Sequence, residues 1–178
     1  MRELRGFTSF AEMAEPEEVL NVLREYHECL GGLIRKFEGT LERYAGDGLI
    51  VLFNDPLPCP DPSVRAVRMA VEMRAAVGKL TDVWRKHGHD LGFSCGISNG
   101  YATLGRIGCE GRFDYAAIGT VVNLAGRLCD EAHAGEILID AKVQAAVEDF
   151  ADAGTASELL LKSFQRPVRV FNVTALRD

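Results

Sequence analysis

Arg43-Tyr44-Ala45-Gly46-Asp47-Gly48-Leu49-Ile50-Val51-Leu52-Phe53 reads as two strands joined by a tight reversal. Leu41 to Ala45 forms the first strand and Leu49 to Phe53 the second, an apolar run with the look of a strand buried on both faces. Gly46 and Gly48 make the reversal easy, because glycine accepts the positive φ angles that tight turns need. Asp47 therefore sits at the tip of a hairpin rooted in the core. Asp-Gly is also a common turn pair, so on this stretch alone a plain turn explains the residue equally well.

The whole chain sets bounds on what such a hairpin can belong to. Its 178 residues are the size of a single domain, 1–178, with 47% hydrophobic and 26% charged residues. A net charge of -6 argues against a nucleic-acid binder or an anionic-membrane binder. It leaves open a nucleotide held through metal ions, whose charge inverts the local preference. No apolar run approaches the roughly 20 residues of a membrane span, and no signal peptide is visible. Cys29, Cys59, Cys95, Cys109 and Cys129 are odd in number and form no C-x-x-C pair, which fits reduced thiols and a cytoplasmic setting.

Outward from the hairpin, helices and strands interleave. Upstream, Pro16 suits a first helical turn, and Leu20, Leu23, Leu30, Ile34 and Phe37 mark an apolar stripe that ends near Glu38-Gly39. His27 lies on that stripe and reads as a packed core residue, while Gly31 and Gly32 suggest close approach of another backbone. Downstream, a proline-dense link leads to Asp61-Pro62 and a helix to about Trp84, with Val64, Val67 and Val71 inward. His87 and His89 follow as a loop tip without a third ligand.

Phe93–Ser98 and Gly100–Gly105 read as two strands about a glycine turn that lacks the Gly-Lys-Ser/Thr of a phosphate loop. Arg112 to Gly119 is a further strand, and Thr120 caps a helix carrying Val121, Val122, Leu124, Ala125 and Leu128 on its apolar side. Asn123 and Arg127, four apart, share its polar side, where Arg127 could equally pair with Glu131. A strand at Ile137–Asp140, a helix from Ala141 to about Phe150, and strands near Leu159–Leu161 and Val168–Val173 complete an α+β pattern of helices on a mostly antiparallel sheet.

Gly6-Phe7-Thr8, Arg43 through Gly48, Gly96-Ile97 with Gly100, Arg112 through Gly119, Val122-Asn123-Leu124-Ala125 with Arg127, and Phe164 through Val168 stand in register with class III adenylate and guanylate cyclases. The chain resembles that catalytic domain over essentially its whole length. The resemblance implies a ferredoxin-like palm that converts ATP, with GTP the alternative, to the 3′,5′-cyclic nucleotide and pyrophosphate. It implies two Mg²⁺ or Mn²⁺ ions per site, roughly 3.5–4 Å apart, as in other two-metal centres. Asp47 and Glu3 fall on the metal positions, Gly6, Phe7 and Thr8 on the phosphate loop, and Arg43 and Ala116 on the base-reading positions. Arg127 would steady the charged phosphoryl oxygens and Asn123 the ribose, both from the opposite subunit of a homodimer. A cyclase-like dimerisation or nucleotide-sensing module without turnover is the alternative. A diguanylate cyclase is disfavoured, because no Gly-Gly-Asp/Glu-Glu-Phe loop is present.

Three positions differ from the family pattern. Glu3 stands where aspartate is usual, Arg43 where lysine is, and Ala116 lacks the side-chain acceptor found there. The strand leading to Glu3 is also cut short, leaving only Met1 to Leu4. Terminal residues fray unless tied down. Glu3 is therefore expected to be loosely held, and roughly ten added upstream residues to increase activity at least tenfold.

Overall fold

The computed structural model describes residues 1–177. Strand β1 (Arg2–Arg5) leads through Gly6 into the short helix α1 (Phe7–Met13) and the long α2 (Pro16–Lys36). The hairpin follows as β2 (Thr40–Ala45) and β3 (Gly48–Leu52), then α3 (Pro62–Lys86) and β4 (Gly92–Ile97). In the sheet these four strands run β2-β3-β1-β4, each pair antiparallel, which is the ferredoxin-like order expected. The sheet continues through β7 (Ile137–Asp140), parallel to β4, to β10 (Val168–Leu176), which also carries β8 (Ala151–Ala153) and β9 (Ser157–Leu159). Between β4 and β7 the chain makes a separate hairpin, β5 (Thr103–Cys109) and β6 (Arg112–Ile118), and helix α4 (Thr120–Glu131); α5 (Ala141–Val147) follows β7.

Two apolar clusters pin the layers. The larger joins Tyr26, Leu30 and Ile34 of α2 and Met69, Met73 and Val77 of α3 to Leu4, Leu49, Phe93 and Ile139 of the sheet. The smaller lies on the opposite face, where Leu128 of α4 meets Leu138, Leu161 and Val170. Gly96 fixes how closely α4 approaches. A Cβ there would lie 2.2 Å from Ala125 O, 2.4 Å from Cys129 N and 2.8 Å from Leu128 Cβ. Gly96→Ala is therefore expected to destabilise the domain by about 3 kcal/mol, the upper range for overpacking. Urea unfolding reads this directly, and a loss under about 0.5 kcal/mol would contradict the close approach.

Several expectations change once the strands are paired. β1 is short, yet it is paired. It lies in mid-sheet, with Arg2 opposite both Leu49 and Cys95, and its Met1 amine donates to Gly96 O at 2.7 Å. All four residues pair with β4 and Arg2 also pairs with β3, the contacts that would tie down so short a strand. On α2 the buried stripe runs Val22, Tyr26, Leu30, Ile34, and Leu20 is exposed. Gly31 meets only the end of Arg35 and Gly32 meets nothing within 4 Å, so no backbone approaches there. Thr120 is the first helical residue of α4 rather than its cap, which is Gly119. Arg127 pairs with Asp130, one residue short of Glu131.

Candidate active site

The hairpin tip and the centre of β1 meet. Leu4 N donates to Asp47 Oδ2 at 2.9 Å, so the β1 backbone itself positions the Asp47 carboxylate. This cross-strand tie brings Glu3 into the field of Asp47. Burial, and then the Asp47 charge, push the Glu3 carboxyl above its ordinary range; Arg5 opposes the shift and Asp130 adds to it. Two carboxylates that repel in this way are what a divalent cation would relieve. Among the described residues no cluster of three or more His, Cys, Asp or Glu is assembled to hold a metal, so Glu3 and Asp47 would supply only part of a coordination shell. That leaves positions for water and phosphate oxygens, as expected for a hard dication in a phosphoryl-transfer site.

Arg5 frames the same corner. Its side chain lies 3.8 Å from Glu3 and donates to the carbonyls of Cys129 and Asp130 at the end of α4, where a cation offsets the unpaired carbonyls. Gly6 follows in the left-handed conformation, φ 83°, and a Cβ there would lie 2.5 Å from Asp90 O. Only glycine lets β1 turn here into Phe7 and Thr8, which places this turn three residues from Glu3.

His27, read from the sequence as ordinary core, is half-buried beneath the hairpin. Its ring lies against that of Tyr44, with centroids 4.4 Å apart and planes tilted by 45°. Burial pulls its pKa down, against the nearby Gly46 backbone and the Asp47 charge. The helix thus packs against the strand that leads into the Asp47 turn. Nothing in the sequence linked His27 to that turn.

The remaining predicted residues lie elsewhere on the chain. Arg43 is exposed on β2 and Ala116 is buried on β6, opposite Gly105, with β2 and β6 in contact. Asn123 is exposed on α4, and Arg127 donates to Asp130 Oδ2 at 2.9 Å. Among the described residues neither makes a hydrogen bond or ion pair with Glu3 or Asp47. A cavity of about 330 Å³ opens beyond Met1 between the continuing edges of β3 and β4, bordered by Val51, Leu52, Ile97 and Ser98.

A family model described as the adenylate and guanylate cyclase catalytic domain matches residues 2–166. The chain belongs to that family. Among solved structures, the adenylyl cyclase CyaB from P. aeruginosa is 34% identical, with a TM-score of 0.94 over 99% of this chain and 92% of that one. The guanylyl cyclase Cya2 is 32% identical with a TM-score of 0.93, covering 99% and 90%. An adenylate cyclase of Anabaena cylindrica is 31% identical over 132 residues, 71% of this chain and 25% of that protein. Adenylate cyclase 1 of Rhizobium meliloti is 28% identical over 160 residues, 86% of this chain and 24% of that protein. The chain spans about a quarter of the length of these two curated relatives. The α+β palm and its mostly antiparallel sheet are those of the class III cyclases. No helix among the described residues is long and apolar enough to cross a membrane.

Proposed function

We propose that this domain cyclises a purine nucleoside triphosphate, ATP or GTP, to the 3′,5′-cyclic monophosphate at a site shared between two copies of the chain in the cytoplasm. The observation that carries this is the Leu4–Asp47 tie, which holds the Asp47 carboxylate against the strand that carries Glu3. Glu3 and Asp47 would hold Mg²⁺ or Mn²⁺, whose chemistry is to lower the cost of negative charge at the attacking and leaving oxygens. The ribose 3′-oxygen bonds to the α-phosphorus as the α-phosphorus–pyrophosphate bond breaks, and the 3′ proton passes to solvent. Asn123 orients the ribose, and Arg127 donates to the phosphoryl oxygens as charge builds on them. Gly6, Phe7 and Thr8 line the phosphates from the β1–α1 turn.

Assembly of the site from two copies is supported by the exposure of Asn123 and by the purely local partner of Arg127, Asp130. The β5–β6 hairpin and its flank add exposed apolar surface, with Tyr101 99%, Ile118 57% and Phe113 49% exposed. Such surface suits burial against a partner. A binding module without turnover is the second reading, favoured by the Arg5 guanidinium competing for Glu3.

A metal titration tests the reading without relying on turnover. Mn²⁺ is expected to raise the thermal midpoint of the native chain and not that of Asp47→Ala, because a ligand bound only to the folded state stabilises it. Equal shifts in both would remove Asp47 from the metal site. Turnover of ATP or GTP with Mn²⁺ then separates the enzyme from the binding module.

A further inference from the structure

We propose that Glu42 positions Arg43 so that a two-pronged donor faces the base, making Glu42 a determinant of selectivity for guanine over adenine. This rests on the cyclase reading, in which Arg43 and Ala116 border the base.

The pairing of β2 with β3 shifts register between Leu41 and Arg43: Leu41 opposes Val51 and Arg43 opposes Ile50, so Glu42 is the extra residue of a bulge. On a regular strand neighbouring side chains point to opposite faces, but a bulge re-aims them and lets consecutive side chains meet. Here Glu42 Oε2 lies 3.5 Å from Arg43 Nε. The Glu42 side chain is 1% exposed, whereas that of Arg43 is 58% exposed. Glu42 Oε2 makes no hydrogen bond in the structure. A buried carboxylate oxygen left without a donor is costly, and the cation that answers it is the base-reading arginine itself.

The edge of the guanidinium that faces Glu42 decides which edge remains. With Nε turned toward Glu42, the two Nη groups are left as a planar fork of donors. Such a fork matches two neighbouring acceptors. Guanine presents O6 and N7 side by side, whereas adenine presents N7 beside the donating N6 amino group. Ala116 contributes a methyl group and no acceptor that could favour the adenine amino group. The local chemistry is therefore donor-rich, and Glu42 sets its direction without touching the nucleotide.

The test compares binding of 3′-deoxy-ATP and 3′-deoxy-GTP, which lack the attacking hydroxyl, to the full chain in Mn²⁺. The native protein is expected to favour the guanine compound by about tenfold, the low end for a bidentate arginine–guanine contact. Glu42→Gln is expected to reduce that ratio about fivefold or more, Arg43→Ala to abolish it, and the double variant to match Arg43→Ala, as coupled neighbours do. The Arg43 Nε–H resonance in nucleotide-free protein is expected to shift in Glu42→Gln. An equal weakening of both nucleotides by Glu42→Gln, or an unmoved Arg43 resonance, overturns the role of Glu42. If Arg43→Ala leaves the ratio unchanged, the assignment of Arg43 to the base fails with it. If neither nucleotide binds, the cyclase reading falls as well.

Discussion

Replacing Asp47 by alanine is expected to lower cyclisation at least about a thousandfold, some 4 kcal/mol of transition-state stabilisation, while the domain stays folded. The two effects separate because Asp47 does little for stability. Its one hydrogen bond with Leu4 N contributes about 1 kcal/mol, and losing it also removes the repulsion that raises the Glu3 carboxyl. For a domain of this size a net change of 1 kcal/mol moves the melting midpoint by about 2–4 °C. Asp47→Asn retains the acceptor for Leu4 and loses the charge, so its activity should fall nearly as far with a smaller shift in midpoint. Turnover by either variant at near the native rate would show that Asp47 holds no essential ion.

The second large effect is recovery on mixing. Arg127→Ala alone is expected to lose about 100- to 1000-fold, the range seen when one preorganised donor to a developing anion is deleted. Asp47→Ala and Arg127→Ala chains, each nearly inactive, are then expected to regain about a quarter of native activity when mixed equally. In a two-fold dimer, random exchange makes about half of the molecules mixed, and each of these keeps one intact site of two. Mass measurement under native conditions confirms that mixed dimers form. Their formation without recovered turnover would mean that Asn123 and Arg127 do not act across the interface. The exposed position of Asn123 and the purely local partner of Arg127, Asp130, are the observations that motivate the experiment.

Much of the architecture was legible because its causes are local. Gly46 makes the reversal before Asp47 at φ 63°, and the apolar run Leu49–Leu52 reads as the strand that β3 is. What the sequence hides depends on non-local pairing. The pairing of β1 comes from β3 and β4, which lie far along the chain, so no local pattern in four residues shows it. The bulge at Glu42 exists only relative to β3, and a run of Thr40 to Ala45 shows no sign of it. His27 was rightly placed near the inner face of α2, but its contact with the Asp47 turn depends on how α2 crosses the hairpin.

Boundaries moved for similar reasons. Helix α1 (Phe7–Met13) is too short to show a periodic stripe, and α5 ends at Val147 because the chain turns into β8 against β10. The site residues taken from the family resemblance fall into two groups on this fold. Glu3, Asp47 and Gly6 to Thr8 sit on β1 and the turns beside it, whereas Arg43, Ala116, Asn123 and Arg127 stand on β2, β6 and α4. No sequence spacing could have shown that division.

The most direct test of the shared-site cyclase is product identity. The purified chain is incubated with Mn²⁺ and either ATP or GTP, and the phosphorus products are followed by ³¹P NMR. The account predicts a 3′,5′-cyclic monophosphate and pyrophosphate appearing in equal amounts, and neither from Asp47→Ala. Release of inorganic phosphate and nucleoside diphosphate, or no turnover of either triphosphate by the native chain, would contradict it.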